Sequence, residues 1–176
     1  MITHEYLAIM SCYNTRMNAR IYELCATIPD LDRKADRGAF FKSIHGILNH
    51  LLLTDRLWMS RFTGVPFAVE SLSQELYSDF DELRAQRQLT DAAIAEWTAK
   101  LTDEQLAAPF TFTSISKPVP RTMPLALTLT HVFNHQTHHR GQLTTLLDQL
   151  GYDYGVTDLP VILQLPEPSA SNSQGT

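Results

Sequence analysis

The chain has 176 residues, 44% of them hydrophobic, with 14 Lys and Arg against 19 Asp and Glu for a formal charge of -5. That length supports one domain with a single core, and the acidic balance excludes a dedicated nucleic-acid binder, which needs a concentrated basic surface to neutralise phosphates. No basic segment leads into an apolar run at the opening MITHEYLAIM, and no apolar stretch approaches the length of a membrane span, so a cytoplasmic protein with a small-molecule substrate and no membrane partner is expected.

Tyr6, Met10, Tyr13, Met17, Ile21 and Leu24 recur at steps of three and four, the stripe of an amphipathic helix over 4–27 that Pro29 closes. Cys12 and Cys25 lie on this helix about 20 Å apart along its axis, beyond disulfide reach, and read as reduced core residues. After a polar connection from Asp30 to Arg37, residues Phe40, Ile44, Ile47, Leu51, Trp58 and Phe62 mark a second long helix that Gly64 and Pro66 end. A third is read over 80–101 from Phe80, Leu83, Arg84, Arg87, Ile94 and Trp97, with a break or bend allowed at Leu89-Thr90-Asp91.

Thr102 and Gln105 have the spacing of a capping box, Phe110 to Thr113 alternates like a hairpin strand, and Pro118 and Pro120 keep a return strand short. The last long helix begins near Pro124 and ends at Gly151. Beyond it, Val161, Ile162 and Leu163 are placed to pack back on the bundle. Together these elements predict an all-α, antiparallel four-helix bundle over 1–166 with a short hairpin before its last helix, and a disordered Ser- and Pro-rich tail over 167–176.

Four of the seven histidines fall in the run HVFNHQTHHRGQ. With His135 at zero on a wheel of about 100° per residue, His139 lies near +40°, Gln142 near -20°, His131 near -40° and His138 near -60°. Val132, Leu143, Leu146 and Leu150 cluster between about +20° and +80° on that wheel, so His135 and His139 look into the core while His131 and His138 sit on its rim. On the second helix His50 borders the apolar face, whereas His45, near -140° from it, is expected to be solvated. Neutral imidazole is the commonest metal ligand, and an i, i+4 pair joined by a histidine from another helix makes a three-nitrogen set with positions left for water or substrate. An HxxxH pair alone is a weak signal, since a buried histidine is more often a hydrogen-bonded core residue; His50 strengthens it.

Gln142 points with the histidines and is placed to orient one of them or a bound water. Asn14 and Asn18 offer amides at i, i+4 beside the Met17 stripe, readable as a wall for substrate or metal-bound water or equally as partners of neighbouring helices. Arg140 and Asp55, each near +140° on its wheel, read as structural ion-pairing residues.

The run HVFNHQTHHRGQ, the segment SIHGILNHLLLTDRLWMSRF, the opening YNTRMNARIY and the stretch YSDFDELRAQR together resemble the DinB (DinB/YfiT-like) family of metal-dependent proteins, and the resemblance covers nearly the whole chain. It implies a four-helix bundle, commonly a homodimer, with a three-histidine site for a divalent metal such as nickel or zinc; the three-nitrogen set itself also suits iron or manganese. Its ligands fall on His50, His135 and His139; His138 is not carried over. Arg16 departs from the pattern, which often has a tryptophan there. The resemblance further implies a metal-dependent enzyme that activates a water or a low-molecular-weight thiol, as thiol-dependent S-transferases and a maleylpyruvate isomerase of this superfamily do. The competing expectation is a non-catalytic, stress-associated protein whose metal only braces the bundle.

Overall fold

A computed structural model describes residues 2–115 and 118–165. The long helices are α1 (His4–Ala26), α3 (Ile44–Thr63), α4 (Phe80–Ala99) and α6 (Leu125–Gln149), joined by the short helices α2 (Asp30–Lys34) and α5 (Asp103–Ala107) and the hairpin β1 (Pro109–Thr113) and β2 (Pro120–Pro124), with α7 (Leu159–Leu163) last. Thr3, Ser43 and Asp79 cap α1, α3 and α4 by accepting a backbone N–H three residues on, and Thr102 with Gln105 forms the expected reciprocal box on α5. α4 runs unbroken through Leu89-Thr90-Asp91.

The expected four-helix bundle is observed, and its contacts fix the direction of each helix. α1 packs on α4 and α6, and α3 packs on the same two from the other side. His4 meets the Ala99 carbonyl and Tyr22 meets Phe80, so α1 and α4 are antiparallel. His50 meets His139 and Trp58 meets His131, so α3 and α6 are antiparallel. Asp55 meets Arg87 and Phe62 meets Trp97, so α3 and α4 run the same way. Residues 64–79 must therefore travel back along the bundle between them. They do so against α3, where Asn49 Oδ1 accepts the N–H groups of Leu76 and Tyr77, and Asn49 Nδ2 donates to the Tyr77 carbonyl.

Two apolar clusters fill the interior. Met17, Ile21, Ile47, Leu51, Leu83 and Leu143 form part of one, and Leu7, Leu106, Leu129 and Phe133 part of the other. A buried polar layer separates them. Arg87 pairs with Asp55 at 2.8 Å and Asp91 at 2.9 Å, while Asp91 accepts from Asn18 at 2.9 Å and Asn14 at 3.4 Å. Arg140 donates to Asn14, Asn18 and Gln136. Two guanidinium groups balance two carboxylates, so side chains from all four helices share one buried network without net charge. Burial pushes Asp91 up to about 6, against the pull of Arg87, and lowers Arg140 to about 10.

The structure departs from the sequence expectations at several residues. His45 is buried, not solvated, because residues 64–79 cover the face of α3 away from the bundle; its Nε2 lies 2.9 Å from the Tyr77 carbonyl. Phe40 is 85% exposed and precedes α3, which starts only after the Ser43 cap. Cys12 is exposed, and only Cys25 is a core residue. Asp55 does form an ion pair, but Arg140 meets amides where a carboxylate was expected. Part of 30–37 is the helix α2. α7 packs on α1 as anticipated, with Val161 left outside. The tail at 167–176 lies outside the described residues. No helix among the described residues is long and apolar enough to cross a membrane.

Candidate metal centre

His50 comes from the middle of α3, and His135 and His139 come from one face of the antiparallel α6, one turn apart. Their ring nitrogens lie within 4.8 Å of one another, the one group of His, Cys, Asp or Glu side chains among the described residues placed to hold a metal ion. His50 Nε2 stands 3.2 Å from His139 Nε2, which stands 3.1 Å from His135 Nε2. Two nitrogens on a tetrahedral zinc ion are separated by about 3.3 Å, given Zn–N bonds of about 2.0–2.1 Å.

The outer nitrogens decide what the inner ones offer. His50 Nδ1 lies 2.8 Å from the Leu72 carbonyl, an acceptor only, so the ring proton sits there and Nε2 keeps its lone pair. His139 Nδ1 lies 2.8 Å from Gln142 Oε1 and donates to it, which likewise leaves Nε2 bare. Two lone pairs thus face each other at 3.2 Å, a repulsive contact that a shared cation relieves. Burial lowers His50 to about 4 and His135 to about 3, and it lowers His139 as well, so all three rings are neutral near pH 7.

Phe41 forms one wall: its ring stacks on His50 at 3.8 Å and meets His139 edge-on at 5.5 Å. The chain reaches that place because Gly46, inside the first turn of α3, lets the Phe41 carbonyl come closer than any Cβ would allow. Sequence reasoning missed Phe41, which precedes the helix and follows no period. The glycine inside a helical pattern was the available signal of a close approach.

Gln142 also donates to His138 at 3.3 Å, and His138 is exposed. His131 is exposed too, edge-on to Trp58. Asn14 and Asn18 are buried in the polar layer; no contact between either amide and the three histidines is present among the described residues.

Fold and site together define a four-helix bundle with a three-histidine cluster able to hold a metal ion. The chain belongs to the DinB family, whose model matches residues 1–169. It is 27% identical over 155 residues to Protein DinB of Bacillus subtilis (strain 168), covering 86% of this chain and 90% of that one. Among solved structures it resembles YfiT from Bacillus subtilis, described as a probable metal-dependent hydrolase with an unusual four-helix bundle topology, at a TM-score of 0.66 and 15% identity over 87% of this chain and 92% of that one. A DinB-like protein from Bacillus cereus ATCC 10987 superposes at a TM-score of 0.60 with 20% identity over 81% and 91% of the two chains.

Proposed function

We propose that the protein is a metal-dependent enzyme whose divalent ion is held by His50, His135 and His139 and whose nucleophile is a low-molecular-weight thiol or a water. The observation that carries this reading is the pair of bare Nε2 lone pairs of His50 and His139, facing each other with both Nδ1 protons already committed. A divalent ion bound there supplies a Lewis acid that makes a thiol or a water nucleophilic near neutral pH. The three histidines leave room for such a ligand, since the cluster offers three donors where a closed structural zinc site has four. YfiT's description as a probable metal-dependent hydrolase supports the water version, and the family resemblance supports the thiol version.

The chain's own residues do the positioning. Leu72 and Gln142 hold two of the rings, and Phe41 shields them from water on one side. Asn14 and Asn18 act at one remove by holding Arg140, the chain neighbour of His139. Nickel or zinc suits the imidazole set, with iron or manganese as further options. The working unit is a homodimer in the cytoplasm with a small-molecule substrate.

The test is a rate measurement on metal-free protein and on protein reloaded with zinc, nickel, iron or manganese. A panel of cellular thiols is offered with a model electrophile, and an activated ester is assayed without thiol. Turnover that needs the metal and disappears in His139→Ala supports the proposal. Equal rates with and without metal favour the reading in which an ion only braces the bundle.

A further inference from the structure

A cavity lies one helical turn from the histidine cluster, between the hairpin, the C-terminal half of α3 and the N-terminal half of α6. Its volume of about 570 Å³ falls within the roughly 300–1,000 Å³ typical of small-molecule sites. His131 and Asn134, both exposed, line it on the side of His135, which lies four and one residues further along α6. None of the three clustered histidines lines it.

The cavity is built to present two guanidinium groups beside aromatic walls. Phe112 and Arg121 are directly opposite in the hairpin register, so both point to the same face of the ribbon, and both line the cavity. Arg61, on the last turn of α3, lies 4.5 Å over the Trp58 ring and gives one N–H to the Thr113 carbonyl at 2.8 Å. A guanidinium has five donors, so most of those on Arg61 remain for a ligand. Neither Arg61 nor Arg121 has an ion-pair partner among the described residues. Arg61 is half-buried, and a cation removed from water without a counter-charge is costly unless an anion joins it.

Charge is segregated in the sequence to the same end. Although the chain is acidic overall, no Asp or Glu occurs between Gln105 and Leu147, the stretch that supplies the hairpin and most of α6. The one acid within α3, Asp55, is buried against Arg87. An approaching anion therefore meets no nearby carboxylate from either wall.

We infer that this cavity binds an organic carboxylate with an apolar, planar body: Arg61 and Arg121 take the carboxylate, Trp58 and Phe112, in edge contact with each other at 4.9 Å, form one wall for the body, and the far end is directed past His131 toward the histidine cluster. The inference names the substrate class of the proposed enzyme; it rests on that proposal for the reaction but not for the binding. Guanidinium forks match carboxylates bidentately, and a guanidinium stacked on an aromatic ring keeps its edge donors free for one.

The test is calorimetric titration of the full chain, metal-free and zinc-loaded, with benzoate, benzamide and acetate. Benzoate should bind saturably and at least about tenfold tighter than benzamide, which lacks the charge, or acetate, which lacks the body. Arg61→Gln and Arg121→Gln should each weaken benzoate by about tenfold or more while the far-UV circular dichroism stays that of the folded bundle. His139→Ala should still bind benzoate, so failure of the metal proposal is seen separately. Absence of saturable benzoate binding, equal binding of benzamide or acetate, or unchanged affinity in both arginine variants overturns the inference.

Discussion

His50 and His139 stand on different helices with their Nε2 atoms 3.2 Å apart, and each ring is fixed by its Nδ1, the first to the Leu72 carbonyl and the second to Gln142 Oε1. The cluster is thus oriented from outside, by a connection that wraps α3 and by a side chain one turn along α6.

Gln142→Ala removes the acceptor that sets the His139 tautomer, and metal affinity should fall by about 10–100-fold with the helical content unchanged. Gln142→Glu keeps an acceptor and should restore binding. Competition titrations with a chromophoric chelator measure both; an unaltered affinity in the alanine variant would show that Gln142 orients nothing.

Gly46→Ala places a methyl group against the Phe41 carbonyl, which is backbone and cannot swing aside. The segment carrying Phe41 must move, at a cost of about 1–3 kcal/mol, and the ring should leave His50. Thermal unfolding should shift downward and metal affinity should drop together. A variant with both unchanged would contradict the close approach.

Arg87→Ala leaves Asp55 and Asp91 buried without their cation, and should cost about 3–5 kcal/mol in urea unfolding. Asn18→Ala removes amide contacts to Asp91 and Arg140 but leaves both ion pairs, and should cost less, about 1–3 kcal/mol. A loss below about 1 kcal/mol in Arg87→Ala would mean that Asp55 and Asp91 are not left as buried, unpaired charges.

The bundle was legible in the sequence because its stripes obey the helical period, from Met17 and Ile21 on α1 to Leu143 and Leu146 on α6. The histidine cluster was legible for the same reason: the wheel separates His135 and His139 from the exposed His131 and His138. A wheel assumes that a helix has one buried face, and α3 has two, since residues 64–79 cover the other. That is why His45 was misplaced, and why the Leu72 carbonyl was invisible as a partner of His50. Arg87 fell within the apolar stripe of its helix, yet its partner Asp55 is on another helix at a separation no local rule reports. The parallel run of α3 and α4 was equally hidden, because it follows from where a long connection returns and not from any stripe.

The most direct test of the account is metal stoichiometry by elemental analysis on purified single variants. His50→Ala, His135→Ala and His139→Ala should each lose tightly bound metal. His138→Ala should keep it, and His45→Ala should keep it while melting at a lower temperature, because that ring is buried against the returning connection. His131→Ala should be intermediate, since its ring lies beside His135 without belonging to the cluster. Loss of the metal in His131→Ala with retention in His139→Ala would contradict the account and place the site toward the start of α6.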